Sequence, residues 1–260
     1  LKDSYIIYKD SSVTTMNYVG GDFIFSFRQL FDDIGIINKG CVQEFDGNHF
    51  VVGRGDVYVH NGVQKKSVIT GKMRNFLFTN IRSDAVDRTH VIADHNNTSM
   101  WICFCSTRTN VGDSNKGCDL ALIWDWSTDL WALREIPYTR FGTFGVVDPK
   151  TSDAWDDDTE GWSTDTSPWG LGGYNPSRTT VVLSSTQLDK VYSTGGDSLF
   201  DTVPFTSFME KTDVNLGDDR NIKEIISITP HTSGCGKMQV YVGSAYVQNG
   251  PINWKGPFIH

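Results

Sequence analysis

The chain has almost no helical periodicity. Across its 260 residues only Phe27 to Ile34 reads as a short helix-like stretch. No apolar run approaches the ~20 residues that a membrane-crossing helix needs, and no signal-peptide hydrophobic region appears. Cysteine is sparse, with five residues: Cys41, Cys103, Cys105, Cys118 and Cys235. Their odd number and irregular spacing argue against a disulfide scaffold and favour an intracellular folding environment. Bases are outnumbered, with 23 Lys plus Arg against 31 Asp plus Glu and a formal net charge of −8. The only adjacent lysine pair is Lys65-Lys66. Without a basic stripe, specific reading of DNA or RNA is disfavoured, although an acidic wall suits DNA that must slide past without sticking. Catalytic motifs are missing as well. There is no G-x-S-x-G elbow and no P-loop. His49, His60, His90, His95, His231 and His260 show no His-x-x-x-His or Cys/His metal spacing.

What the chain does have is aromatic. Rings make up 12% of residues and all hydrophobics 38%, a composition lean in aliphatics and rich in the side chains that fill sheet cores. Short β-branched and aromatic runs alternate with Gly, Asn and Asp turns, which predicts many antiparallel strands. The candidates are Tyr5 to Tyr8, Asp22 to Phe27, Cys41 to Phe45, His49 to Val52, Val57 to His60, Asn75 to Asn80, Thr89 to Asp94, Met100 to Ser106, Asp119 to Asp125 and Leu130 to Ile136. Further along come Thr180 to Ser184, Lys190 to Tyr192, Phe205 to Thr212, Ile222 to Thr229 and Met238 to Gly243. Asp46-Gly47 and Asn61-Gly62 are hairpin signals between such runs. Cys103 and Cys105, two apart in a strand, share one face and read as core. Strand clusters recur every ~40 to 50 residues, the spacing of propeller blades, with starts near residues 1, 41, 86, 138 and 196. The expected fold is therefore all-β and antiparallel, β-propeller-like with about five blades, in one domain over 1–260. Because the chain opens at Leu1 and stops soon after a strand-like run, it is expected to be part of a longer or processed protein.

The sharpest internal repeat is Trp124-Asp-Trp-Ser-Thr-Asp-Leu-Trp131 against Trp155-Asp-Asp-Asp-Thr-Glu-Gly-Trp162, both Trp-Asp-x-x-Thr-acid-x-Trp. Trp169 follows after a further seven residues. A heptad helix is excluded there by Gly161 and Pro168. The pattern reads as a ring closing one strand, a tight turn capped by Asp and Thr oxygens, and a ring opening the next. Trp124, Asp125, Trp131, Trp155, Asp156, Trp162, Asp165 and Trp169 are accordingly expected to be structural turn residues.

Other patterns carry chemistry less well. The acids Asp153, Asp156, Asp157, Asp158, Glu160 and Asp165 could offer oxygens to Ca²⁺, but the glycine and terminal Glu of an EF-hand loop are misplaced. A glycosidase pair would need two carboxylates about 5 to 10 Å apart, and a solvated, self-capped turn is the simpler reading. Ser163-Thr-Asp165-Thr-Ser-Pro-Trp169 resembles the Asp-box of sialidase-type propellers, with Ser167 in place of its glycine; that box is itself a structural turn. Arg54-Gly55-Asp56 matches the tripeptide that integrins read, yet three-residue matches arise by chance and this one fills a hairpin turn.

Three longer segments resemble the tail nozzle, or tail tubular protein B, of short-tailed bacteriophages (podoviruses). The first is Tyr5-Ile-Ile-Tyr-Lys9 with Met16 to Phe25 and Phe27-Arg-Gln-Leu-Phe-Asp-Asp33. The second is His49-Phe-Val-Val-Gly-Arg-Gly-Asp-Val-Tyr-Val-His-Asn-Gly62 with Arg74-Asn-Phe-Leu-Phe78. The third joins Leu122-Ile-Trp-Asp-Trp126 and Trp131-Ala-Leu-Arg-Glu-Ile-Pro137 to the Trp155/Trp162/Trp169 ladder. Lys211 to Asp218, Ile228-Thr-Pro230 and Val240-Tyr-Val-Gly243 fit as well. The resemblance implies a structural virion protein of the viral tail and not an enzyme, without catalytic, cofactor or metal residues. It implies a homo-hexamer below the portal, partnered by a tail adaptor protein and tail fibres, assembled in the host cytoplasm. The double-stranded genome would pass down its lumen during DNA ejection without specific binding. The alternative is a carbohydrate-binding or glycan-hydrolysing propeller at the host surface, since aromatic loops can stack on sugars.

Overall fold

The structure, a computed structural model, describes residues 4–108, 117–146, 179–185, 189–195, 199–200, 203–204, 206–212, 214, 224, 226–230, 238–246 and 250–259. The chain divides into two compact units, residues 1–197 and 198–260. The described residues are dominated by antiparallel strands, so the expected all-β class holds. The sheets are unequal, with three, four, six, two and two strands, instead of five similar blades.

The first unit opens with β1 (Tyr5–Tyr8), β2 (Val13–Tyr18) and β3 (Phe25–Phe31), a three-stranded meander. Next come β4 (Val42–Phe45), β5 (Asn48–Val52), β6 (Val57–His60) and β7 (Lys65–Ser67), paired in chain order. Asp46 and Gly47 turn β4 into β5 with φ of 44° and 73°, the doubly left-handed geometry that selects Asp-Gly in two-residue hairpins. Helix α1 (Gly71–Asn80) follows.

The largest sheet runs β13-β12-β11-β10-β9-β8. Its strands are β8 (His90–Asp94), β9 (Ser99–Phe104), β10 (Cys118–Asp125), β11 (Leu130–Val146), β12 (Thr179–Ser185) and β13 (Val191–Ser193). All six residues of β9 are buried, so both faces of this strand are covered. On one face Val91, Ala93, Met100, Ile102, Phe104, Leu120, Leu122 and Trp124 pack against Phe45, Phe50, Val52 and Val57 of the four-stranded sheet and Leu77 of α1. On the other, Ile92, Trp101, Cys103, Cys105, Cys118 and Ala121 meet Ile136, Val181 and Leu183, which belong to the far side of the same sheet. The sheet therefore curls on itself. Gly142 marks the closest approach: a Cβ there would lie 2.3 Å from Ile92 Cδ1 and 2.9 Å from Leu183 Cδ2. The curl is made in β11, which bends at Pro137 and Tyr138, where Tyr138 has φ of 41°. Up to Glu135 β11 pairs with β10, Thr139 pairs with both β10 and β12, and Phe141 to Val146 pair with β12. Proline has no N–H to give the ladder and is tolerated at such an irregularity.

Within the second unit, β14 (Leu199–Phe200) pairs with β15 (Val203–Pro204), and β16 (Gln239–Ser244) with β17 (Asn253–Ile259).

Several expectations are corrected. Asn75 to Asn80 is not a strand but the C-terminal part of α1. Its apolar residues Met73, Phe76 and Leu77 fit i, i+3, i+4 as well as a short strand run, an ambiguity that periodicity alone cannot resolve. Phe27 to Ile34 is not helical, because its backbone is held in β3 by the ladder to β2. The described parts of Phe205 to Thr212 and Ile222 to Thr229 are not strands.

Candidate functional site

The Trp-Asp hairpin joins β10 to β11. Trp124 stands opposite Trp131, and Asp125 opposite Leu130. Asp125 is the turn's organiser. Its Oδ1 accepts the Ser127 backbone N–H at 2.8 Å, the Ser127 hydroxyl at 2.7 Å and the Thr98 hydroxyl at 3.2 Å, while Oδ2 accepts the Thr128 hydroxyl at 2.8 Å. These donors, Ser127 first and then Thr128, hold its carboxyl well below the usual carboxylate range. Asp129, at φ of 57°, returns a carboxylate oxygen to Trp124 Nε1 at 2.8 Å. The paired rings stack with centroids 6.2 Å apart, and Phe50 stacks on Trp124 at 5.5 Å. Trp131 Nε1 donates to the Val68 carbonyl at 3.3 Å. The side chains of Trp124, Asp125, Ser127, Thr128, Asp129 and Trp131 are thus engaged in closing the hairpin or fastening it to its neighbours. Trp155, Asp156, Trp162, Asp165 and Trp169 lie outside the described residues, as does the whole acidic stretch from Asp153 to Asp165.

The Arg54-Gly55-Asp56 tripeptide is also structurally committed. Asp56 Oδ1 accepts Arg74 Nη2, the Ser67 hydroxyl and the Val57 N–H, each at 2.8 Å. Arg54 pairs with Asp10 at 3.2 Å.

Two polar clusters have no sequence motif. In the first, Tyr8 Oη lies 2.7 Å from His49 Nδ1 and 2.6 Å from His60 Nε2. The Gly62 N–H donates to His60 Nδ1 at 3.2 Å, which fixes the remaining protons. His60 carries its hydrogen on Nε2 and donates to Tyr8, and Tyr8 donates to His49 Nδ1. This relay is satisfied only with both imidazoles neutral. Burial, then the neighbouring His49, push the His60 pKa down to about 4. Burial drives Tyr8 far above the ordinary phenol range and lowers His49. Phe31 packs edge-on to His60 at 5.4 Å. The cluster pins the three-stranded sheet onto β5 and β6. Long-range pairs such as Tyr8 and His60, 52 positions apart, leave no spacing signal.

In the second cluster, Cys105 and Cys118 bring their sulfurs to 3.9 Å, and Cys118 donates to the Arg88 carbonyl at 3.3 Å. The Cys118 thiol is raised and the Cys105 thiol lowered, first through the bond between them. All four described cysteines are free and buried.

An open groove of about 650 Å³ runs between residues 38–43 and strands β8 and β11. Lys39, Arg88, His90, His95 and Arg140 line it with one acid, Asp87. Among the described residues no three His, Cys, Asp or Glu side chains gather as a metal would require. No helix of the described residues is long and apolar enough to cross a membrane.

No protein-family model matches the chain, and no curated protein matches it.

Proposed function

We propose that the chain is a structural subunit of a short-tailed bacteriophage tail: a nozzle-type virion protein that closes with further copies, six in the expected assembly, into a ring through which double-stranded DNA leaves the particle. The observation that carries this reading is the order of the nozzle-like segments along the sequence and the elements they occupy. The first segment forms β1 to β3, the second β5 and β6 with part of α1, and the third the β10–β11 hairpin. Within the described residues of these three segments, most positions fall in strands or α1. The four-stranded meander β4 to β7 packs face to face on the six-stranded sheet, and antiparallel meanders stacked in this way are the unit that a propeller-like wall would repeat. The net charge of −8 supports a surface that lets phosphates pass. The polar groups of the Trp-Asp turn are engaged in structural bonds, as a wall component requires.

Negative-stain electron microscopy of the purified protein tests this. Closed rings with an axial channel are expected. Particles that stay single at all concentrations would refute it. On a glycan array no saturable binding is expected; binding abolished by Trp162→Ala or Trp169→Ala would instead favour the carbohydrate reading.

A further inference from the structure

The three-stranded sheet has its apolar surface on the wrong side for an isolated protein. Register places Tyr5, Met16 and Phe27 side by side across all three strands, and Tyr18 beside Phe25 in the next row. Ile7, Thr14 and Gln29 share that face. The opposite face carries Val13 and Thr15, both buried, and holds Tyr8 against the histidines. An antiparallel sheet with one buried face ordinarily turns polar residues outward. Here Tyr5 is 69%, Tyr18 72% and Phe27 64% exposed, and Phe23, in the β2–β3 turn beside exposed Val19 and Ile24, is 81% exposed. Tyr18 and Phe25 meet edge to face at 6.0 Å, so the rings form a continuous surface.

We infer that this face, Tyr5-Met16-Phe27 with Tyr18-Phe25 and the Phe23 turn, is where a second copy of the chain docks. Two observations select that occupant. The first is area. Five rings that each offer about 200 Å² when fully exposed, roughly two-thirds uncovered here, present about 650 Å² before the turn aliphatics are added. A standard interface takes about 800 Å² from each partner, so the patch is of the size that holds two folded chains together. The second is charge. The strand residues of the face carry no ionisable group other than the tyrosine hydroxyls, and its turn adds one carboxylate, Asp22, in a chain whose formal net charge is −8. Copies of an acidic chain repel one another wherever charge meets charge, and a sparsely charged aromatic face is where they can approach at low cost. A nucleic acid would need cations there. Strand β3 is also an edge of its sheet. Its outer rim can therefore continue a ladder onto a neighbour.

This inference rests on the ring reading and names the surface that makes the ring. Sedimentation velocity with multi-angle light scattering on the full chain tests it, comparing wild type with Phe25→Asp/Phe27→Asp, the milder Phe27→Ser, and Arg28→Asp on the opposite face. Wild type is expected to associate. The double aspartate variant is expected to lose association roughly a hundredfold or more, because each carboxylate would be buried against rings, with an unchanged circular dichroism spectrum. Phe27→Ser should weaken association in the same direction, and Arg28→Asp should leave it intact. A monomeric wild type overturns both this inference and the ring. An associating wild type that the Phe25 and Phe27 variants leave intact overturns the face and spares the ring. Association lost in those variants, but without closed rings in the microscope, keeps the face and overturns the tail reading.

Discussion

Acid should undock the first sheet before it unfolds the core, and His60 sets the pH. Its imidazole is buried and must stay neutral, since Nδ1 accepts the Gly62 N–H while Nε2 donates to Tyr8. A proton on Nδ1 would face another proton. The folded pKa, about 4, lies below the ordinary histidine value near 6.5. Folding therefore favours the neutral form. The stabilisation is complete above pH 6.5 and is lost as pH falls from there through about 4. At 1.36 kcal/mol per tenfold change in proton affinity, that window holds about 3 kcal/mol. His49 is depressed too and contributes with the same sign. Urea titrations at pH 7, 5.5 and 4, read by tyrosine and tryptophan fluorescence, should show this loss, and His60→Gln should flatten the pH dependence. NMR should find the His60 ring still neutral at pH 5. A His60 ring that titrates near 6.5, or a pH slope unchanged in His60→Gln, would refute the reasoning.

Leu122→Ala removes a fully buried side chain from the interface between the two large sheets and should cost about 2 to 5 kcal/mol in chemical denaturation. Asp125→Ala leaves the Ser127 and Thr128 donors without their acceptor and should lower the melting temperature, whereas Asp125→Asn keeps part of the turn and should lower it less. Because the Asp125 carboxyl is held below its ordinary range, its stabilisation is present above the usual Asp pKa and fades only as pH falls below it, more acidic than the His60 window. Cys41, Cys103, Cys105 and Cys118 are buried, so a disulfide reagent such as Ellman's should label them only at the rate of unfolding; rapid labelling of any one in native buffer would contradict their placement.

Local pairing was legible in the sequence because its signals are local. The run Val57 to His60 matches β6 without adjustment, and Asp46-Gly47 gives the turn its two left-handed residues. Asp and Thr oxygens cap the Trp124–Trp131 turn through neighbours two and three residues on, the range at which such side chains compete for backbone groups. What stayed hidden is long-range. Strand β2, with Val13 and Thr15 buried and Thr14 on the other face, has a polar composition that masks its alternation. The Tyr8, His49 and His60 relay ties β1 to the β5–β6 pair through side chains. The curl of the six-stranded sheet depends on Gly142 lying beneath Ile92, and a lone glycine in a strand signals a close approach without naming what approaches.

The distribution of polar groups bears on what the molecule is for. A catalytic site keeps at least one titratable group unsatisfied or strained toward a substrate. Asp125, Tyr8 and His60, whose ionisation is strongly shifted, are tied into hydrogen bonds within the fold. Asp125 is saturated by donors from its own turn, and Tyr8 and His60 satisfy each other across two sheets. Asp56 is shared by Arg74, Ser67 and its own strand. Each fixes one sheet relative to a turn or to another sheet. Such bonds resist shear between layers. Buried polar atoms without a hydrogen-bond partner occur at Thr89 Oγ1 and His90 Nε2 beside the groove, and the exposed apolar surface lies on the outer face of β1 to β3. For the assembly role proposed above, the exposed aromatic face of β1 to β3 makes the Phe25 and Phe27 variants the most informative place to begin.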